Sequence, residues 1–381
     1  MKLVCVLGGG GIFGGRIARA LAATHGLSVR VVGRDARRGE SFSREIGAEF
    51  LRADLTAPGA LNAVLDGVAL AIDAAGPFQG RDYALARACI DSGAHYLDLA
   101  DARRFVTGIG ELDARARERG VFVGAGASSA PTITHALIES VAHEFETIDE
   151  LDLALSPGNQ NPRGAATIGA VLGILGAPMK VWIDGAWRER RGWGVAAWLE
   201  FPPDVGRRRV HNCELPDLDL FPPHFGARTV RFRAGVELDL FNRALSALAF
   251  LRRLRLVPHL APLAPLARDV SLWFFSRGSK NGSLAAWVRG RSLVGEPLER
   301  KVALVTADDG PATPSAPAIL LARKILLGAG LPAGARPCAG LLTLGELLAH
   351  LEPLGIWCAR GDDAGVWSAR PEWAPSGCSK A

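Results

Sequence analysis

Leu3-Val4-Cys5-Val6-Leu7-Gly8-Gly9-Gly10-Gly11-Ile12-Phe13-Gly14 decides the fold. Five apolar residues in succession read as a strand buried on both faces. The run stops at Gly9, Gly11 and Gly14, spaced G-x-G-x-x-G, and Arg16–Ala23 beyond them reads as a helix. That spacing carries meaning only between a strand and a helix. There Gly9 allows the tight turn, Gly11 lets the backbone approach a pyrophosphate, and Gly14 lets the helix pack closely on the strand. Ile12 and Phe13, between the glycines, are counted with them as cofactor-binding residues, ahead of a helix whose free amino-terminal N–H groups suit phosphate oxygens. The apolar run after Met1-Lys2 is too brief for a signal peptide.

Outward from this stretch, short apolar runs recur at Ser28–Val32, Glu49–Ala53, Ala69–Ala74, His95–Leu99 and Val121–Gly124. Amphipathic stretches separate them, several ending in glycine where a left-handed cap is wanted. Six strands joined by helical crossovers predict an α/β fold: a doubly wound parallel sheet of the Rossmann type over residues 1–130. The second strand ends Val32-Gly33-Arg34-Asp35. An NAD site would place an acidic residue there for the ribose hydroxyls, whereas the guanidinium of Arg34 suits the 2′-phosphate of NADP. Arg37 and Arg38 would add cationic contacts. Asp35 stands one residue away as a carboxylate near the ribose, and Arg34 could instead cap the strand in solvent. Asp54, after the third strand, is either at the adenine edge or a helix amino-cap before Pro58. Ala75-Gly76-Pro77-Phe78 follows the fourth strand on the sheet's carboxyl edge, where ligands bind.

Composition excludes several classes. Of 381 residues, 49% are hydrophobic and 22% charged, ordinary for a globular enzyme. The net charge of +5 comes from scattered arginines, unlike the focused basic surface of a nucleic-acid binder. Six dispersed cysteines without a C-x-x-C pair fit a reducing compartment, with Cys5 and Cys89 as core residues. No H-E-x-x-H or H-x-H occurs, so no metal is expected. A cytoplasmic location follows as an expectation. A Tyr-x-x-x-Lys proton-donating pair is absent, since Tyr83 precedes Arg87 and Tyr96 precedes Ala100 by the same interval.

Past Ala127 the alternation breaks. Ile148–Ser156 reads as a strand, Ala165–Leu175 as a helix, and Val181–Trp187 as a hairpin turning on Asp184-Gly185. These pieces predict a second, α+β domain over 131–340, for substrate or dimer contacts, and a carboxy-terminal segment, 341–381, packing back on the first domain. Helical patterns occur at Ala316–Leu327 and Leu344–Leu351, then a strand at Ile356–Arg360, then a loose tail. Residues 236–276 read as apolar helices that pack internally, at a homodimer interface or on a membrane surface. Packing on the second domain or on a dimer partner is preferred over the membrane surface.

Gly9–Gly14, Val32-Gly33-Arg34, Gly76-Pro77-Phe78, Ala88-Cys89-Ile90, Gly93–Asp98 and Gly126-Ala127-Ser128-Ser129 together resemble the saccharopine dehydrogenase-like NADP-binding family over roughly residues 1 to 140. The resemblance implies a reductase domain paired with a sheet-containing domain, a substrate cleft between them, and formation or cleavage of a C–N bond through an imine. Such a reaction needs a proton donor and groups that hold substrate carboxylates. Tyr96 and Asp98 share one face of the fifth strand. Asp98 or Asp101 is the candidate acid/base, with a structural role at the strand end as the alternative. Gln79 either touches the nicotinamide or caps a helix. Ser128 and Ser129 offer backbone N–H groups at the hinge. Arg163 is a carboxylate clamp or a surface ion pair. The reading is an NADP(H)-dependent oxidoreductase acting on a small molecule. Its alternatives are a non-catalytic NADP(H)-binding sensor or scaffold, and a peripheral membrane reductase of a lipid-like substrate.

Overall fold

In the computed structural model the described residues are 1–55, 57, 59–257, 259–328, 330–361, 366–368 and 371. The carboxy-terminal tail expected from composition falls mostly outside them, as do Thr56 and Pro58.

The chain begins with β1 (Lys2–Leu7), α1 (Ile12–Ala22), β2 (Leu27–Gly33), α2 (Ala36–Glu45), β3 (Glu49–Arg52) and α3 (Ala60–Leu65). β4 (Val68–Asp73), α4 (Ala84–Ser92), β5 (His95–Asp98), α5 (Arg103–Gly108), α6 (Asp113–Glu118) and β6 (Phe122–Ala125) follow. Val4, Cys5, Val6 and Leu7 are fully buried, as a strand covered on both faces requires. Burial pushes the Cys5 thiol up to about 12, which makes it a core residue rather than a nucleophile.

After α7 (Thr134–Ala142) come β7 (Phe145–Ser156), α8 (Ala165–Ile174), β8 (Pro178–Ile183), β9 (Ala186–Arg191), β10 (Ala196–Glu200), β11 (Arg207–Asn212) and α9 (Asp217–Phe225). Then follow β12 (Thr229–Ala234), α10 (Asp239–Arg253), α11 (Ala264–Leu272), β13 (Gly282–Ser292) and β14 (Pro297–Thr306). The predicted hairpin forms: Ile183 pairs with Ala186, and both Asp184 and Gly185 take positive φ, as a type I′ turn demands. The chain ends its described elements with α12 (Ala312–Leu326), β15 (Gly334–Pro337), α13 (Leu344–Leu351) and β16 (Ile356–Gly361).

Two compact units result. Residues 1–132 and 314–342 form the first, 133–313 and 343–381 the second. The first holds a parallel sheet in the order β15-β6-β5-β4-β1-β2-β3, reversing direction of travel at β1, as in a Rossmann fold. The second holds a mixed sheet, β10-β11-β12-β7-β13-β14-β16, with β8 and β9 branching from β12. The carboxy-terminal boundary differs from the sequence expectation. Gly334-Ala335-Arg336-Pro337 adds a seventh strand parallel to β6, although its glycine and proline read as loop. Lys2 Nζ donates to the Leu326 carbonyl (2.6 Å), and Arg323 donates to Thr24, tying α12 to the first unit. In the second sheet β16 pairs with β14.

α10 and α11 confirm the helices expected near 236–276, and they are packed only in part. Ala249, Leu260 and Ala264 join Leu172, Leu175 and Trp193 in a core cluster of the second unit. Leu240, Phe250 and Trp273 remain exposed. Among the described residues no helix is long and apolar enough to cross a membrane.

Candidate functional site

Gly8 makes the turn after β1, at φ +70°, a conformation that only glycine adopts without strain. Its N–H donates to the Val32 carbonyl (2.9 Å), and its carbonyl accepts from the Gly11 N–H (2.8 Å). A Cβ on Gly14 would collide with that same Gly8 carbonyl, so Gly14 is what lets α1 approach the turn. A Cβ on Gly9 would press on Val31 at 2.9 Å, whereas one on Gly10 would meet open space. Gly11 is exposed at the head of α1, with no side-chain cap and no acidic residue in the first turn. Ile12 and Phe13 open the helix, half-buried. The helix therefore presents bare N–H donors and its positive end at the sheet's carboxyl edge.

At the end of β2 stand Arg34 and Asp35. Asp35 is the amino-cap of α2, accepting from the Arg38 N–H (3.1 Å). Arg34, Arg37 and Arg38 are exposed, and none has a side-chain partner among the described residues. Asp54 is exposed in the turn after β3, its carbonyl accepting from the Ala57 N–H. It does not cap α3, which begins after Gly59.

Beyond β4, Ala75 and Gly76 are half-buried, Pro77 is exposed and Phe78 is buried. The sequence reading missed what holds this turn. Asp73, at the end of β4, accepts from the Ala75 N–H (2.9 Å) and pairs with Arg81 (2.7 Å). Arg81 also donates to the Ala75 carbonyl and lies over the Phe78 ring. The only sequence signal was a charged residue closing an apolar strand.

Tyr96 and Asp98 share a face of β5 as expected, and both are fully buried. Asp98 Oδ1 accepts from the Ala100 and Gly126 N–H groups (2.9 and 2.8 Å), clamping the ends of β5 and β6. Burial raises its carboxyl to about 7 against those two hydrogen bonds. Burial, then the neighbouring Asp98 and Asp73 charges, hold the Tyr96 phenol well above its ordinary value. Neither side chain is open to solvent. Gln79 and Asp101 do come together, Gln79 Nε2 donating to Asp101 Oδ1 (3.2 Å). Burial raises the Asp101 carboxyl, and Gln79 remains exposed. His95 accepts from the Phe122 N–H (2.9 Å) and is a packing histidine.

Ser128 donates to the Pro314 carbonyl (3.2 Å), and Ser129 is half-buried beside it. In the second unit Arg163 is committed to its own loop. It donates to the Asn159 side-chain and backbone oxygens (3.0 and 2.6 Å), and Asn159 in turn donates to the Phe274 and Arg277 carbonyls.

Residues 4–124 match the saccharopine dehydrogenase NADP binding domain family. Over the whole chain, the fold is similar to apo saccharopine dehydrogenase (L-Glu forming) from Saccharomyces cerevisiae. The TM-score is 0.71 at 16% identity, covering 97% of this chain and 100% of that one. A looser likeness, TM-score 0.42 at 18% identity, covers 87% of this chain and 90% of the WlbA dehydrogenase from Thermus thermophilus bound to NAD and α-ketoglutarate. No curated protein matches in sequence. The first unit is a nicotinamide dinucleotide-binding domain of the oxidoreductase class. More particularly, residues 4–124 of this unit are similar to the saccharopine dehydrogenase NADP binding domain.

Proposed function

We propose that this chain is an NADP(H)-dependent oxidoreductase that passes hydride to or from a C–N bond of an amino-acid-like adduct. The observation that carries the cofactor choice is the end of β2, where Arg34 stands exposed while Asp35 is spent capping α2. A carboxylate at that position would accept from both ribose hydroxyls and repel a 2′-phosphate; a free guanidinium binds it. The glycine turn and the open end of α1 hold the pyrophosphate. The C–N assignment is supported by the family matched at residues 4–124 and by the fold likeness to the yeast enzyme.

Bound NADPH supplies a hydride; the protein must supply the proton for nitrogen. Asp101 is the candidate donor, since burial raises its carboxyl and Gln79 fixes its orientation. Asp101→Asn is expected to lower kcat on an imine-forming mixture of keto acid and amino acid by about 100-fold, with the Kd for NADPH unchanged. Equal turnover would remove Asp101 from the mechanism. The burial of Tyr96 and Asp98 favours a second reading, an NADP(H)-binding sensor without turnover. Tight NADPH binding with no oxidation across such mixtures would select it.

A further inference from the structure

Away from the dinucleotide site, α7 and α9 of the second unit bring three donor groups together. His135 sits in the first turn of α7, and Glu139 follows one helical turn later on the same face. His224 lies in the last turn of α9. The Nε2 atoms of His135 and His224 are 2.8 Å apart, and a Glu139 carboxylate oxygen lies within 4.8 Å of both. His135 is buried against Phe221 and Phe225, while Glu139 and His224 are exposed.

We propose that His135, Glu139 and His224 form a binding site for one divalent transition-metal ion of the zinc type. Two imidazole nitrogens facing each other can share only one proton. The Glu139 carboxylate beside them has no partner among the described residues. A cation satisfies all three lone pairs at once. Two nitrogens and one oxygen suit Zn²⁺ and its neighbours rather than Mg²⁺ or Ca²⁺, which take oxygen donors. Metal–nitrogen bonds of about 2.0–2.1 Å in tetrahedral array set the nitrogens roughly 3.3 Å apart, a small opening for the exposed His224 side chain. The fourth position faces solvent and takes water. The ion would staple α7 to α9.

The test is Zn²⁺ titration of chelator-treated full-length protein by competition with a chromophoric chelator, for the native chain, His224→Ala and Glu139→Gln. Both substituted positions are exposed, so the variants keep the native circular dichroism and NADPH affinity. One Zn²⁺ per native chain is expected. Each variant should weaken binding by at least about tenfold, the scale on which even outer-shell partners act. Zn²⁺ should raise the Tm of the native chain and leave that of His224→Ala unmoved. Absence of stoichiometric binding, or equal affinity in the native chain and His224→Ala, overturns the site.

Discussion

The two units use charge in opposite ways. In the second, Arg231, Glu150, Arg289 and Glu299 link in series across β12, β7, β13 and β14. Arg208–Glu237, Arg233–Asp152 and Arg300–Glu144 pair nearby. These arginines are spent on its own sheet. The first unit keeps its inward carboxylates, Asp73 and Asp98, for positioning loops at the sheet's carboxyl edge, and leaves Arg34, past the end of β2, without a side-chain partner among the described residues. A surplus of arginine in composition therefore says little about ligands. The informative arginine is the one that the fold leaves idle.

The sharpest way to break this contrast is at the glycine turn. Gly14→Val would drive a side chain into the Gly8 carbonyl and is expected to abolish NADPH binding, at a stability cost on the order of 3 kcal/mol. Gly10→Ala, facing open space, should move stability by no more than about 0.5 kcal/mol. Fluorescence titration and thermal melts on both would separate them, and equal behaviour would undo the turn's assigned geometry.

Next in size are two buried carboxylates, Asp98 of the first unit and Asp217 of the second. Asp98→Ala strands two buried N–H groups and should cost about 2–5 kcal/mol. Burial raises Asp98 and Asp217 from 3.8 to about 7. The folded chain then holds protons that the unfolded chain has released over that window. Their contribution to stability is full below the window and is lost as pH rises through it. Denaturant melts at pH 5 and pH 7.5 should show that loss, roughly 1–3 kcal/mol per group, shrinking in Asp98→Asn and in Asp217→Asn. An unchanged pH dependence in both variants would contradict the burial argument.

A small effect is expected at Arg163. With its bonds confined to the Asn159 loop, Arg163→Ala should cost about 1 kcal/mol and leave NADPH affinity and substrate KM unmoved. A KM raised severalfold at unchanged stability would restore the carboxylate-clamp role.

How much was legible follows the same division. All six strands β1–β6 were visible because each is a short apolar run punctuated by glycine, and the crossover rule then orders them. β15 was not, since a Gly-Ala-Arg-Pro strand carries no periodicity and forms only because β6 offers an unpaired edge. That return of residues 314–342 to the first unit is a long-range event with no local signal, so the domain boundary moved. Within the site, Gly9, Gly11 and Gly14 stood out through spacing, yet Gly8 carries the positive φ and nothing in four successive glycines tells them apart. Asp35 showed the reverse. It was read as a carboxylate near the ribose, and its capping role appeared only once α2 was seen to start at Ala36. Asp73 and Arg81 pair across eight positions through a turn, and His135 meets His224 across eighty-nine, so neither cluster was written in adjacent residues.

The central claim is that the end of β2 selects the cofactor through an idle guanidinium. The direct measurement is the pair of dissociation constants for NADPH and NADH, in the native chain and in Arg34→Ala. The account expects native preference for NADPH and, in the variant, roughly tenfold or greater loss for NADPH alone, as deletion of a charge-assisted bond of about 1.5–3 kcal/mol implies. An NADPH/NADH ratio left unchanged by Arg34→Ala would contradict it.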